Sequence, residues 1–420
     1  MSHYKPYPAY RDSGVEWIGR VPKHWARAAI KHILSEPITD GPHETPVFLN
    51  EGVEFLSVDG IQDGELVFEG KRFISYEDHA RFCKKAKPQI NDVLVGKSAS
   101  VGKVARVKTS NDFNVWSPLA ILRSDPTKCN PAYLEFALKA DSAQQQILLA
   151  GNTSTQANIG MDRLASVGIP LPPITEQFQL TKAIEQETTS IDALITKKTR
   201  FIELLKEKRQ ALITHAVTKG LDPNVAMKDS GVEWIGVVPA HWSVAILKRF
   251  VVFQRGHDLP SDTRVEGTVP VVSSGGYSGT HNVAIAKAPG IVTGRYGSLG
   301  EFTFVEEDYW PLNTALYSIE LHNNDHRFVW YLLQNISDLF LLYSAKAAVP
   351  GIDRNDIHEI YVAAPQHDEQ RQIAKYLDEQ CDRINAITEK TQRSIDLLKE
   401  RRAAFITAAV TGQIDLRESA

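Results

Sequence analysis

The chain predicts an α+β protein in which two β-rich domains are joined by two long antiparallel coiled-coil helices with a pseudo-twofold internal repeat. Three observations carry that reading. First, Asp12-Ser-Gly-Val-Glu-Trp-Ile-Gly-Arg-Val-Pro-Lys-His-Trp25 returns as Asp229-Ser-Gly-Val-Glu-Trp-Ile-Gly-Val-Val-Pro-Ala-His-Trp242, identical at 12 of 14 positions. Second, Ile202-Glu-Leu-Leu-Lys-Glu-Lys-Arg-Gln-Ala-Leu-Ile-Thr-His-Ala-Val-Thr218 recurs as Ile395-Asp-Leu-Leu-Lys-Glu-Arg-Arg-Ala-Ala-Phe-Ile-Thr-Ala-Ala-Val-Thr411, identical at 12 of 17. Third, the segments between these blocks, 26–170 and 243–363, hardly resemble each other, and the repeat offset falls from 217 to 193 residues. Two like frames therefore hold two unlike inserts, which points to one kind of task performed on two targets.

The helices come first, because their pattern is the most regular. Residues 176–217 and 369–410 contain neither Pro nor Gly. Apolar side chains recur at Ile184, Ile191, Leu194/Ile195, Ile202, Leu205 and Leu212, and again at Leu377, Ile384, Ile387, Ile395, Leu398 and Phe405. Steps of seven split into three and four place them on one stripe, as in a coiled-coil seam. At 1.5 Å per residue each helix would run about 63 Å. One narrow apolar stripe cannot stabilise such a helix alone, so each needs a partner along its length. Matching stripes make the other helix the best partner, and antiparallel pairing returns the C-terminus to the neighbourhood of residue 12. Thr175 and Asp368 are the expected N-caps behind Pro172 and Pro365, and Gly220 and Gly412 mark the ends. The expected divisions are 1–171 and 223–364 for the β-rich domains, and 172–222 and 365–420 for the helices.

Each insert shows short β-prone runs between turns. They fall at 53–58, 65–68, 92–95 and 104–107 in the first, and at 269–272, 290–293, 301–305 and 316–319 in the second. Dipeptides such as Asp63-Gly64 and Gly275-Gly276 separate them. One amphipathic helical stretch follows in each, at 131–149 and 326–342.

Composition narrows the function classes. Forty-three per cent hydrophobic and 23% charged residues are ordinary for a globular protein. No apolar run approaches the ~18 residues of a membrane helix, and the N-terminal residues carry no secretory pattern, so a cytoplasmic protein is expected. Cys83, Cys129 and Cys381 are scattered, without metal-ligand spacing. Three apparent catalytic motifs dissolve on inspection. Gly96-Lys97-Ser98 lacks the first glycine of a phosphate loop, since position 91 is Asn. Asn130-Pro131-Ala132-Tyr133 is explained by an Asn cap and a Pro at the first helical position. The glycines of Gly294-Arg-Tyr-Gly-Ser-Leu-Gly300 are wrongly spaced for a nucleotide loop and lie between two strands. No catalytic residue and no metal site is assigned.

DNA contact is the chemistry these loops do suit. Net charge is −4, yet residues 71–108 hold ten Lys and Arg against Glu77, Asp78 and Asp92. Lys71, Arg72, Lys84, Lys85, Lys97 and Lys103 are the candidate phosphate ligands. Asn152, Thr153, Ser154 and Gln156 form an amide- and hydroxyl-rich loop suited to bases or phosphates. In the second insert the candidates are Arg255, Ser274, Tyr277, Arg295, Tyr296, Ser298 and Lys346, with Arg295 suited to bidentate bonding of guanine O6 and N7. The second insert has no cationic cluster, so positive surface from a partner is expected.

Both blocks in duplicate, together with a Leu-Pro-Pro-Ile-Thr-Glu-Gln lead into the first helix, resemble the specificity subunits of Type I restriction-modification systems. The second lead, Ala-Pro-Gln-His-Asp-Glu-Gln, is a weakened copy. The resemblance implies two target-recognition domains, each reading half of an asymmetric bipartite site in double-stranded DNA, with the helices setting the spacer. It implies a noncatalytic subunit that docks two modification subunits, which methylate adenine at N6, and two restriction subunits. S-adenosylmethionine, ATP and Mg belong on those partners, and none on this chain. Two alternatives stay open: the same architecture serving a fused restriction-methylation enzyme, and a coiled-coil protein scaffold that never touches DNA.

Overall fold

The computed structural model describes residues 4–151, 158–296, 298–345, 351 and 353–417. Two compact units emerge, Met1–Lys198 with Arg393–Ala420, and Thr199–Gln392. The division runs through both long helices, Ile174–Lys219 and His367–Val410. Each unit therefore combines the start of one long helix with the end of the other.

Within each unit that combination is antiparallel, and a tryptophan of the repeated block shows it. In the first unit Trp25 Nε1 donates to Glu176 in the opening turn of the first long helix. The end of the second helix reaches the same indole, since a Cβ on Gly412 would meet Pro22 and Trp25. In the second unit Trp242 bonds Glu369 at the start of the second helix. There the end of the first helix arrives, with Gly220 against Trp242 and Pro239. Gly220 and Gly412 adopt φ of +75° and +70°, the left-handed conformation that ends a helix with little strain only at glycine. Tyr10 Oη donates to the Gly412 carbonyl at 3.0 Å, so the end of the second long helix does return to the neighbourhood of residue 12.

The expected N-caps are displaced. Thr175 and Asp368 lie inside the first turns, and the carbonyls of Pro173 and Gln366 accept the first helical N–H groups instead. Pro cannot donate, so a proline-rich lead carries the helix start to its last residue. The seam is mostly as expected. Ile184, Ile191, Leu205, Leu377, Ile384, Ile395 and Phe405 are buried, whereas Ile202, Leu212 and Leu398 are half-buried. Ile213 is fully buried beside Leu212, because a 3.6-residue helix drifts off a strict seven-residue repeat. Leu194 and Ile387 do not join the seam, being 47% and 43% exposed.

The inserts share one strand topology despite their sequences. The first unit has an antiparallel sheet ordered Val104–Arg106, Val93–Gly96, Leu119–Leu122, Thr39–Asp40. The second repeats it as Phe302–Val305, Gly290–Gly294, Ala315–Glu320, Val252–Arg255. A three-stranded sheet follows the same rule. Val53–Leu56 lies between parallel Phe113–Val115 and antiparallel Arg72–Ile74. Val269–Ser273 lies between parallel Trp310–Pro311 and antiparallel Gly276–His281. The first unit adds the helix Tyr76–Cys83 and the ribbon Ile61–Gln62 with Glu65–Leu66.

Strand alternation assigns the faces. Val93 and Val95 join the core beneath the helices, while Leu94 between them joins the core under the second sheet. Ile291 and Val292 divide in the same way. A central strand covered on both faces needs apolar residues at every position, which is why no polar alternation marks it. The helical stretches are each broken in two, Pro131–Lys139 with Asp141–Ala150 and His326–Asn335 with Ser337–Ala345. At Ala140 the backbone turns extended and its carbonyl caps the next helix, so amphipathicity persists across a break that periodicity alone does not reveal. Asn130 caps the first of these helices through Oδ1, with Pro131 in its first turn.

Candidate nucleic-acid interface

Most of the first insert's positive charge is neutralised within its own unit. Lys71 pairs with Asp59 at 3.3 Å, Lys85 with Asp40 at 2.6 Å, and Lys97 with Asp40 at 3.2 Å. Lys87 pairs with Asp112, Lys108 with Glu65, Arg81 with Glu44 and Asp78, and Arg106 with Glu135 and Glu185. Lys103 donates to the Ile61 carbonyl at 2.9 Å. The Arg72 guanidinium lies 4.6 Å from the centre of the Phe48 ring, and Trp116 also flanks it. Lys84 is exposed. All of these carboxylates but Asp78 come from outside the lysine-rich segment, so the local surplus overstates the free charge. Asp40 is 2% exposed. Burial pushes its carboxyl up, but hydrogen bonds from Lys85 and Lys97 outweigh that and hold it below the ordinary range.

The second unit gathers its candidates differently. Gln254, Arg255, Gly256, His257, Asp258, Arg295, Leu316, Asp353, Arg354 and Asn355 line one open cleft of about 640 Å³. Arg255 ends the strand Val252–Arg255, and Arg295 follows the strand Gly290–Gly294. Two strand-end loops of one sheet thus bring together cations 40 positions apart in the chain. The Arg295 guanidinium stacks 4.7 Å from the centre of the Tyr296 ring. Gly351 lets that ring approach, since a Cβ there would collide with it. Ser274 and Ser298 pack near Gly294 and Gly275, and Tyr277 is exposed on the strand Gly276–His281. Sequence reasoning missed Arg354, His257 and Gln254, because only the fold carries them to the same cleft. Asn152, Thr153, Ser154, Gln156 and Lys346 lie outside the described residues.

The repeated blocks build two matched nodes. Glu176 accepts from Trp25 at 3.1 Å and Tyr7 at 2.7 Å, with His24 Nε2 2.8 Å away. Glu369 accepts from Trp242 at 3.1 Å, with His241 Nε2 at 2.7 Å. The next residue repeats as well. Gln177 Oε1 accepts from Asn130 N–H and its Nε2 donates to the Pro172 carbonyl, as Gln370 does with Asp325 and Pro365. Burial and the hydrogen bond to Glu176 push the Tyr7 hydroxyl well up. Burial likewise pushes the Cys129 thiol up to about 12, which removes it as a nucleophile. No group of three His, Cys, Asp or Glu suited to a metal occurs among the described residues. No described helix is long and apolar enough to cross a membrane.

The duplicated node, the shared topology and the paired helix ends match a known plan. The model of the Type I restriction modification DNA specificity domain matches residues 48–204 and again 240–397. The chain belongs to this family. It carries two copies of the domain, as a specificity subunit, the noncatalytic component of such a system. A protein of Methanocaldococcus jannaschii, described as the MjaX type I restriction enzyme specificity subunit, is 24% identical over 95% of this chain and 96% of its own length. The EcoBI specificity subunit of Escherichia coli is 21% identical over 47% of this chain and 42% of its own length. A chain from a solved type I R-M system, described in terms of complex assembly and conformational transition, superposes with a TM-score of 0.70 at 13% identity. That superposition covers 93% of this specificity subunit and 98% of the other chain, and it establishes the shared fold.

Proposed function

We propose that this specificity subunit reads an asymmetric, gapped site in double-stranded DNA, one half with each unit. The observation that carries the proposal is the pairing of one strand topology with two different surfaces. A duplicated frame conserves how each body is held, while the strand-end loops differ in charge and shape. Base discrimination resides in such loops, because only side chains that reach base edges distinguish sequences. A 46-residue helix shared by both units is about 69 Å long. We infer that helices of this kind set the gap between the two half-sites.

The long helices also supply a docking surface for modification subunits. Leu194 and its repeat partner Ile387 are exposed, as are Leu204 and its partner Leu397, at 46% and 64%. Each unit carries one member of both pairs, so two copies of one partner meet equivalent apolar residues. Two modification subunits and two restriction subunits would bring S-adenosylmethionine, ATP and Mg, together with positive surface. The deciding experiment co-expresses the chain with the modification subunit encoded beside it and maps adenine methylation across a genome. One gapped asymmetric motif that vanishes without this chain is the expected result. An assembled complex that binds S-adenosylmethionine yet methylates no motif would overturn the reading.

A further inference from the structure

Hydrogen-bond register makes particular positions of the two units equivalent. Lys97 N–H donates to the Pro118 carbonyl at 2.8 Å, and Arg295 N–H to the Thr314 carbonyl at 2.9 Å. Each follows a glycine, Gly96 or Gly294, where a Cβ would strike the carbonyl oxygen four residues ahead. Leu119 N–H bonds the Trp116 carbonyl as Ala315 N–H bonds that of Leu312, both at 2.9 Å. One residue further on, Ala120 pairs with Asp40 and Leu316 with Arg255. Gly41 and Gly256 come next, and a Cβ on either would strike the backbone of the neighbouring segment. Asp40 thus corresponds to Arg255, and Lys97 to Arg295.

The chemistry at this shared place is inverted. In the first unit the cation is held by the buried carboxylate of Asp40, which Lys85 and His43 also approach. In the second unit both positions are arginine, and Arg354 joins them in the cleft. Among the described residues none of these three guanidiniums has a carboxylate partner. Asp258 and Asp353 line the same cleft but are otherwise engaged, Asp258 by Asn313 and Asp353 as the cap of Asn355 N–H at 2.7 Å. Three unpartnered guanidiniums in one cleft repel one another, a cost that an anionic or acceptor-rich ligand removes. The Arg295 guanidinium lies over the Tyr296 ring, 4.7 Å from its centre, a cation–π contact that uses none of its N–H donors. A planar donor pair with a fixed face suits the O6/N7 edge of guanine, whereas unstacked arginines suit phosphates.

We infer that Arg295, backed by Tyr296, reads a guanine in the half-site of the second unit, with Arg255 and Arg354 gripping the flanking backbone. This rests on the DNA-reading function proposed above. It makes position 97/295 a specificity-determining place whose charge is silenced in the first unit and displayed in the second.

The test uses the full chain co-expressed with its modification subunit, comparing wild type with Arg295→Ala, Arg295→Lys, Arg255→Asp and Arg354→Gln. Arg255→Asp places beside Arg295 the carboxylate that silences Lys97 in the first unit, at a position where the fold accommodates aspartate. Arg295→Ala should relax one G·C position of one half-site and weaken binding of the original site about 10- to 100-fold. Arg255→Asp should weaken recognition of that same half-site, and Arg295→Lys should retain binding but lose discrimination. Arg354→Gln should weaken all sequences alike and lower the salt slope by about 1. The other half-site and the assembled complex should not change. An unaltered motif and affinity in both Arg295→Ala and Arg255→Asp would overturn the inference, as would relaxation at an A·T pair. A wild-type complex with no gapped motif would instead defeat the DNA-reading proposal itself, so the two failures are distinguishable.

Discussion

Trp25 Nε1 donates to Glu176 Oε1 at 3.1 Å, and 217 positions later Trp242 repeats the bond to Glu369 at the same 3.1 Å. The carboxylate in each case opens a long helix, where negative charge also suits the helix dipole. Conservation of this block between the two halves thus has a structural cause. It fastens a β-rich body to the start of a helix, and Pro22 or Pro239 beside the indole receives the end of the other.

The two nodes differ in burial, which sets unequal expectations. The Glu176 side chain is 6% exposed and that of Glu369 is 31%. Glu176 also accepts from Tyr7. Glu176→Ala should cost about 2–4 kcal/mol of stability because several buried donors lose their acceptor. Glu369→Ala should cost less, about 1–2 kcal/mol, because Trp242 is its one buried donor while His241 and the carboxylate itself stay open to water. Urea unfolding of the two variants measures the order, and equal losses would contradict it.

Helix ends offer a second comparison. Gly412→Ala would force a Cβ into the Pro22 ring at φ +70°, where the ring belongs to the backbone and cannot rotate away. Gly220→Ala meets only ordinary contacts with Glu369 and Trp242 at 3.4 Å and 3.5 Å, at φ +75°. Left-handed strain costs both variants on the order of 1 kcal/mol, and the collision adds more to the first. Thermal melting should therefore show Gly412→Ala as the more damaged protein.

Seam and outer face should separate stability from assembly. Leu377 is fully buried, and Leu377→Ala should cost about 2–5 kcal/mol. Leu194→Ala with Ile387→Ala removes exposed apolar groups and should change stability by no more than about 0.5 kcal/mol per site. The exposed pair should nonetheless weaken retention of the modification subunit in a pull-down. Full retention would show that this face docks nothing.

A pH dependence follows from His358. Its Nε2 accepts Phe253 N–H at 2.9 Å, which requires the neutral ring. Burial, with the charges of Lys248 and Arg354, lowers its pKa below the ordinary value. The unfolded chain then binds the proton first, so the bond contributes stability above pH ~6.5 and loses it as pH falls below that value. The strand Val252–Arg255 carries Arg255 into the cleft, so acid weakening should reach the second unit. Unfolding midpoints between pH 8 and pH 5 in wild type and His358→Gln measure the effect. The variant should lose part of the slope, the remainder staying with His326, whose pKa burial also lowers, and an equal slope would place the titration elsewhere.

Legibility in the sequence followed the range of the interactions. The long helices were readable because their cause is local: apolar residues at steps of three and four, and no Gly or Pro inside 176–217 or 369–410. Asn130 as a cap and Gly220 and Gly412 as stops follow from backbone chemistry within a few residues. The common topology of the inserts left no such trace. Its strands are two to six residues long and pair across distant segments, so different side chains satisfy the same ladder.

Charge shows the divide most clearly. The sequence by itself determined that two like frames hold unlike inserts, that each frame ends in a long helix, and that residues 71–108 are rich in cations. Only the tertiary structure decided that Asp40, more than 50 positions away, takes the charge of Lys97, and that Arg255, Arg295 and Arg354 share a cleft without such a partner among the described residues. The reason is physical. Coulombic and hydrogen-bonding energies depend on separation in space, and in these β-rich bodies neighbours in space are set by strand pairing rather than by chain order.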